Sequence, residues 1–176
     1  RRSSDLKIEE QLKSGGLPYH YKTTGAGLEF ASTAAKAFDL AMVVRTNPYD
    51  RLHLDMLQSI VGVSHCKSLE QVVENISDAF LKEVVQQASL LKDDGSNMYQ
   101  TVKSILNTLK ASNASEFKST DEVLAVFDEF ELLKHHWSSY AKSVTNYSLS
   151  AFRNAMSLGQ TSVTSSDGEG VTLSTV

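Results

Sequence analysis

The amino-acid sequence predicts an all-α protein, an antiparallel bundle of five to six helices with a long C-terminal helix and an extended Ser/Thr/Gly-rich tail. Apolar residues recur every three or four positions through most of the chain, which is the period of a helix. Prolines, which interrupt helices, occur only at Pro18 and Pro48 among 176 residues. Ser68 and Ser119 are each followed three residues later by a glutamine or glutamate, the pattern of a capping box at a helix start.

These signals divide the chain into three parts. Residues 1–27 are expected to form an arm, in which a short helix from about Ser4 to Ser14 ends at two glycines and a loop covers 17–27. Residues 28–158 form the helical bundle domain, because a chain of this length can bury one core. Residues 159–176 form the extended tail.

The second and third helices are separated by the Asn47-Pro48 break. The second is predicted from about Leu28 to Thr46, and its many alanines allow a neighbouring helix to approach closely. The third is predicted to begin at Pro48 with Asn47 as its cap, and to end at residues 61–64. The apolar residues expected on the third helix are Leu52, Leu57, Ile60 and Val61.

The fourth helix has the clearest start, because Ser68 and Gln71 form a capping box. It is predicted to run to residue 92, and a fifth helix follows over 97–111. The apolar stripe of the fourth helix consists of Leu69, Val72, Val73, Ile76, Phe80, Val84, Ala88 and Leu91. The stripe of the fifth consists of Met98, Val102, Ile105, Leu106 and Leu109.

The last helix is predicted to be exceptionally long. No glycine or proline occurs between Ser119 and Gly159, so about 39 residues can form one helix of about 60 Å, with a break near Ser138-Ser139 or at Ser148 left open. Its apolar residues form two rows with a spacing of seven, the seam of a helix packed against partners. The rows are Val123, Phe130, Trp137, Val144 and Ala151, and Val126, Leu133, Tyr140 and Tyr147. The helices 68–92 and 120–158 are expected to organise the bundle.

The histidine pair of the last helix is expected on its outer side. The seam position of Trp137 places His135 outermost and His136 on the flank, and Glu131 lies one turn before His135. A dinuclear metal site in a bundle uses Glu-x-x-His pairs, and this sequence contains none; Asp50 and His53 have only the related Asp-x-x-His spacing. We therefore predict no metal, no cofactor and no catalytic residue; an enzyme that uses His135 and Glu131 is a third hypothesis, after the two functions given below.

The single cysteine, Cys66, follows His65. A nucleophilic cysteine needs a histidine oriented toward it by a third group, and adjacency in sequence does not provide this geometry. A half-buried structural thiol is the expectation, and one cysteine cannot form an internal disulfide.

Composition limits the classes of partner. The formal net charge is −4, with 41% hydrophobic and 22% charged residues, which gives no electrostatic reason to bind nucleic acid. The longest aliphatic run, residues 40–44, is far too short to cross a bilayer. The first residues lack a methionine and three Asn-x-Ser triplets occur, which favours a processed secreted or organellar protein. Asn113 is the glycosylation candidate in a predicted loop, whereas Asn75 and Asn146 fall on predicted helices.

The function expected from this organisation is non-enzymatic. A long helix, a seam and terminal arms are typical of a structural or protein–protein interaction subunit of an oligomer or larger assembly, whose partners are other protein chains. Seam residues Trp137, Tyr140 and Tyr147 are candidates for contact, and so are Leu173 and Val176, because the last four residues have the form of a peptide that adds a strand to a binding domain. The tail is expected to pair with 162–165. The alternative is a helical carrier that binds a small apolar ligand between the second helix and the aromatic seam.

Overall fold

The computed structural model describes residues 19–23, 30–112, 120–158 and 171–175, with side chains placed over 30–112 and 121–158. The all-α prediction is confirmed, since every element described between residues 30 and 158 is a helix. The described elements are β1 (Tyr19–Thr23), α1 (Thr33–Thr46), α2 (Arg51–Val61), α3 (Leu69–Asn75), α4 (Ala79–Ser89), α5 (Met98–Ala111), α6 (Thr120–Ser143), α7 (Leu149–Ser157) and β2 (Val171–Thr175).

Helix α1 is the centre of the domain. It contacts α2, α3, α4, α6 and α7, while α5 packs between α4 and α6. Eight of the 14 residues of α1 are buried, and four of these are alanines that let neighbouring backbones approach. The edge of the Phe38 ring meets the ring of Phe130 on α6, with centroids 5.6 Å apart. The expectation that 68–92 and 120–158 organise the bundle is therefore corrected: the helix in contact with most of the others is α1.

Helix α1 begins five residues later than predicted. Ser32 is its N-cap, and the Ser32 Oγ accepts a hydrogen bond from the backbone N–H of Ala35 at 3.1 Å. The backbone N–H groups of Ala31 and Ser32 donate to the carboxylate of Glu129 on α6, at 2.6 and 3.2 Å. A side chain from 97 residues away thus takes part in setting the helix start.

Helix α2 is capped by Asp50 and not by Asn47. The Asp50 N–H donates to the carbonyl of Asn47 at 3.0 Å, which closes a turn through Pro48 and Tyr49 ahead of the helix. Asp50 Oδ1 then accepts the backbone N–H of His53 at 3.0 Å. The predicted start at Pro48 is wrong because the turn takes the residues assigned to the first helical turn.

The predicted fourth helix is two helices, α3 and α4. Its start is confirmed, because Ser68 Oγ accepts from the Gln71 N–H at 3.3 Å. Ile76 is extended after α3, and Asp78 caps α4 by accepting the N–H of Leu81 at 2.7 Å. The apolar stripe is retained across the break, since all its members except the half-buried Val73 are buried. The predicted stripe of α5 is also buried throughout.

The segment 120–158 is also two helices, and the break lies at Ser148, one of the two places where the sequence leaves a break open. Ser148 caps α7 by accepting the N–H of Ala151 at 3.3 Å. The Tyr140 hydroxyl accepts the N–H of Ser148 and donates to its carbonyl, both at 3.3 Å, so the side chain of α6 holds the start of α7. The candidate cap Ser119 lies outside the described residues.

The break at Ser148 changes which residues enter the core. The seam is buried from Phe130 to Tyr140 on α6, as predicted, but Tyr147 in the connection and Ala151 on α7 are exposed. The core residues of the last segment are instead Leu149, Phe152 and Met156.

Strands β1 and β2 pair in parallel, from Tyr19 with Val171 to Thr23 with Thr175. Residues 19–23 were expected in a loop, so that expectation is corrected. The predicted partner of the tail, 162–165, and the helix from Ser4 to Ser14 lie outside the described residues. The division into arm, bundle domain and tail and the antiparallel order of the helices stay predictions. In the described ranges, no helix has both the length and the apolar character needed to cross a bilayer.

Candidate functional site

The aromatic residues of the predicted seam pack against one another inside the domain. The ring of Trp137 lies 5.6 Å from that of Tyr140, 6.4 Å from that of Tyr147 and 5.0 Å from that of Phe152, between centroids. Trp137 and Tyr140 are buried, and Tyr147 is half exposed. The opposite side of the indole meets the backbone of Gly95, where a Cβ would lie 2.7 Å from Cζ3 of Trp137. The space around these aromatic rings is therefore occupied by other residues of the same chain.

The two histidines of α6 have different environments. His135 is exposed, and Glu131 pairs with Lys134 at 2.7 Å between Oε2 and Nζ instead of with His135. His136, expected on the flank, is buried. Burial, with a smaller contribution from the nearby His135, lowers the pKa of His136 from 6.5 to about 4, so the ring is neutral at pH 7.

Asp50 and His53 form a helix cap. His53 Nδ1 lies 2.7 Å from Asp50 Oδ2, while the other carboxylate oxygen accepts the backbone N–H of His53. These hydrogen bonds, with the backbone bond the largest cause, lower the pKa of Asp50 below its usual value. Across the described part of the chain, no group of three or more His, Cys, Asp or Glu side chains is placed to share a metal ion.

Cys66 is buried and takes part in a local hydrogen-bonded structure. The amide of Gln58 accepts the Cys66 N–H at 2.7 Å and donates to its carbonyl at 3.2 Å. The thiol donates to the carbonyl of Ser64 at 3.6 Å, and the neighbouring His65 is exposed with a positive φ of 61°. These hydrogen bonds stabilise the connection between α2 and α3.

Exposed apolar side chains lie on the outer face of α2 and in the turn before it. We call them the α2 row: Tyr49 in the turn, and Leu52, Met56 and Ile60 on the helix. Tyr49 is 90% exposed, Leu52 67% and Met56 46%, while Ile60 is half-buried and also packs against the core. The inner face of the helix consists of Leu54, Leu57, Gln58 and Val61. Successive residues of a helix are rotated by about 100° around its axis, so Met56, at the centre of the row, lies on the side of α2 opposite this inner face. Leu52, one of the apolar residues predicted on this helix, lies on the solvent side.

Other exposed large apolar residues within the described ranges are spread over several elements. They are Leu90, Tyr99, Leu124, Tyr147 and Leu158. Tyr99 is covered by the Lys134 ammonium, 5.6 Å from its ring centroid, and Tyr147 packs on Trp137. The α2 row differs because Leu52, Met56 and Ile60 follow one another along one helix face.

An open groove of about 600 Å³ runs between α1 and α2, beside the α2 row. Its lining is mostly apolar, with a charged pair on α1: the residues are Phe30, Lys36, Asp39, Leu40, Met56, Ser59 and Ile60. Asp39 is held by Arg153 of α7, with 3.2 Å between Oδ2 and Nη2. Met56 and Ile60 belong to both the row and the groove, so the two features form one surface.

Several predicted site residues lie elsewhere. Leu173 belongs to β2, and Val176 and Asn113 lie outside the described residues. Asn146 is exposed in the connection between α6 and α7, which corrects its placement on a helix. Asn75 ends α3 and donates to the carbonyl of Gln71 at 2.8 Å.

The sequence carries a signal for the α2 row that was not recognised. Leu52 and Met56 are four residues apart, and Leu54 and Leu57 repeat the helical period on the other side. Two apolar faces on one short helix indicate a second packing surface. Comparison with known proteins gave no match, whether to a family model, to a curated protein or to a solved structure.

Proposed function

We propose that this protein is a non-enzymatic interaction subunit that binds another protein chain through the α2 row. The observation that carries the proposal is the exposure of Leu52 and Met56 on the face of α2 opposite the core, with Tyr49 exposed in the turn before the helix. Solvent-facing positions of a helix are ordinarily polar, and contiguous exposed apolar residues are typical of protein contact sites.

The rest of α2 supports this function. Its inner face already contributes Leu54, Leu57 and Val61 to the core, so the exposed side chains of Leu52 and Met56 are available to a partner. A partner helix lying along the row would bury its apolar side chains at about 25 cal/mol per Å². The groove beside the row gives the partner a second line of contact, and the charges of Lys36 and Asp39 at its side favour one orientation.

The local roles of the titratable groups support a function without catalysis. Asp50 and His53 start a helix, Glu131 pairs with Lys134, and the backbone of Cys66 is bound by Gln58. Each group therefore has a structural explanation in its own neighbourhood.

A carrier of a small apolar molecule is the second candidate. The observation that favours it is the groove volume of about 600 Å³, which lies in the range of small-ligand sites. Such a ligand would lie between α1 and α2, because the aromatic rings of the predicted seam contact one another. Native mass spectrometry of the purified chain that finds a stoichiometric apolar molecule would favour the carrier over the interaction subunit.

The methionines provide a test of the interaction function. Met56 is exposed, whereas Met42, Met98 and Met156 are buried, so hydroxyl radicals oxidise chiefly Met56 in the isolated chain. We expect Met56 oxidation to fall at least fivefold in a native extract of cells that express the chain, relative to the dilute purified protein.

A matched reporter controls for the extract itself. The variant Leu90→Met places a methionine at a position that is 59% exposed and outside the α2 row. Its oxidation should be the same in both conditions after correction for radical dose. Equal oxidation of Met56 in extract and in buffer would show that nothing covers the α2 row, and the proposed function would then be rejected.

A further inference from the structure

The connection between α6 and α7 contains the triplet Asn146-Tyr147-Ser148, which has the Asn-x-Ser form of an N-glycosylation acceptor. We infer that Asn146 accepts an N-linked oligosaccharide and that Asn75, which lies in a triplet of the same form, does not. The inference is independent of the proposed function, because it concerns a part of the surface other than the α2 row.

The structure places Asn146 where a bulky polar group is tolerated. Helix α6 ends at Ser143 and α7 begins at Leu149, so Asn146 lies outside both helices. Its side chain is exposed, and so are those of its neighbours Thr145 and Tyr147. Glycans are large, solubilising groups that lie on protein surfaces. A glycan on Asn146 would therefore extend into solvent without displacing a core side chain.

The side-chain amide of Asn146 is available for reaction. Among the residues that the structure describes, none forms a hydrogen bond with this amide. In the transfer, the amide nitrogen forms a bond to the anomeric carbon of the first sugar and loses one proton. The bond between that carbon and the diphosphate of a lipid-linked oligosaccharide breaks, and the lipid diphosphate leaves with the electron pair. The folded chain therefore loses no hydrogen bond of the Asn146 side chain when the glycan is attached.

Asn75 has a different environment, although the triplet Asn75-Ile76-Ser77 has the same form. Asn75 is the last residue of α3, and its Nδ2 donates to the carbonyl of Gln71 at 2.8 Å and lies 4.0 Å from the Cys66 sulfur. The next residue, Ile76, is buried in the core. A transferase that binds this triplet must unfold the end of α3 and remove Ile76 from the core, which opposes modification of Asn75.

In the Asn146 triplet, the hydrogen bonds that a transferase must release belong to the start of α7. Ser148 Oγ accepts the N–H of Ala151 at 3.3 Å and lies 3.0 Å from Oγ of Ser150, while the Tyr140 hydroxyl binds the backbone of Ser148. Opening a helix start at the surface is a smaller local unfolding than extracting a core residue. The two triplets therefore differ in how easily a transferase reaches them.

The fraction of each asparagine that is modified tests the inference. The full chain is directed by a cleavable leader into the secretory route of cultured animal cells, purified from cells and medium, and treated with a glycosidase that converts each glycosylated Asn to Asp. Mass spectrometry of the peptides that contain Asn146 and Asn75 measures the modified fraction at each. We expect the fraction at Asn146 to exceed that at Asn75 at least fivefold.

Substitutions at the third position of the triplet test how Asn146 is recognised. Ser148→Thr keeps a hydroxyl that also caps helices, so modification should be retained. Ser148→Ala removes the hydroxyl of the triplet and should abolish modification of Asn146. Ser150→Ala is the matched control, because it removes the neighbouring hydroxyl outside the triplet and should leave modification unchanged. Circular dichroism establishes that the variants are folded.

Each contrary outcome overturns the inference. An Asn146 peptide that stays unmodified shows that this connection is not an acceptor. Equal modified fractions at Asn75 and Asn146 show that the environment in the fold does not select the acceptor. Modification of Asn146 that persists in Ser148→Ala shows that the triplet is not what the transferase recognises.

Discussion

Gly95 lies against the indole of Trp137, and its positive φ of 68° is a conformation that side-chain-bearing residues rarely adopt. The indole is packed on its other sides by Tyr140, Tyr147 and Phe152. Position 95 therefore requires glycine for two reasons, the left-handed backbone conformation and the close approach of the Trp137 indole.

We expect Gly95→Ala to reduce the free energy of unfolding by about 3 kcal/mol or more, from backbone strain together with a clash against Trp137. Gly62→Ala is the matched control, because Gly62 has a similar φ of 74° but open space around its Cβ position. It should cost only about 1 kcal/mol. Urea unfolding of both variants measures the difference. Equal losses would mean that the indole contact adds nothing to the backbone strain.

The buried His136 predicts how stability depends on pH. Its pKa is lowered from 6.5 to about 4, so the unfolded chain binds the proton more readily between these values. Stability is therefore complete above pH 6.5 and falls as the pH decreases toward 4. Between pH 7 and pH 4.5 this residue alone should remove roughly 2 kcal/mol.

Replacing His136 by Gln should make that part of the pH profile flatter, as measured by urea unfolding at several pH values. His135→Gln is the control and should retain most of the slope, because repulsion from His135 is the smaller cause of the lowered pKa. A profile unchanged by His136→Gln would assign the pH dependence to other groups.

At the scale of elements, α1 begins where α6 meets it. The Glu129 carboxylate accepts the N–H groups of Ala31 and Ser32, just before the first helical turn, where negative charge is favourable. Because α1 is the central helix, a poorly formed start would affect several packing contacts.

Glu129→Gln should lower the free energy of unfolding by about 1 kcal/mol and Glu129→Ala by about 2 kcal/mol, because backbone donors lose a charged acceptor. Asp128→Asn is the control, since Asp128 is exposed on the same helix and should have little effect. Amide hydrogen exchange should localise the change to the first turn of α1. Faster exchange spread evenly over all helices would contradict a local capping role.

The two breaks that divide the predicted long helices show how the sequence signal was masked. Ile76 and the residues around Ser148 keep the apolar spacing of a helix, so the apolar pattern by itself predicts a continuous helix across both breaks. Each break is set by polar caps, namely Asp78 for α4 and Ser148 for α7, and the second is also held by Tyr140. Serine and aspartate are tolerated inside helices, so their presence alone does not predict a cap.

At the scale of the whole molecule, α2 has two separate tasks. Its inner face joins the core around α1, and its outer face is the α2 row. A partner bound as proposed uses only the outer face, so it binds a domain that is already folded. Binding and folding should then be separable by substitutions at Leu52 and Met56.

The sequence by itself determined the fold class, the apolar stripes of α3, α4 and α5, the seam of α6 up to Tyr140 and the cap at Ser68. These features depend on residues close together in the chain, whose period is a direct consequence of helix geometry. Only the tertiary structure decided that α1 is central, that Glu129 contributes to its start, that Gly95 supports Trp137, and that Leu52 faces solvent. Each of these depends on which distant segments meet, and no local period contains that information.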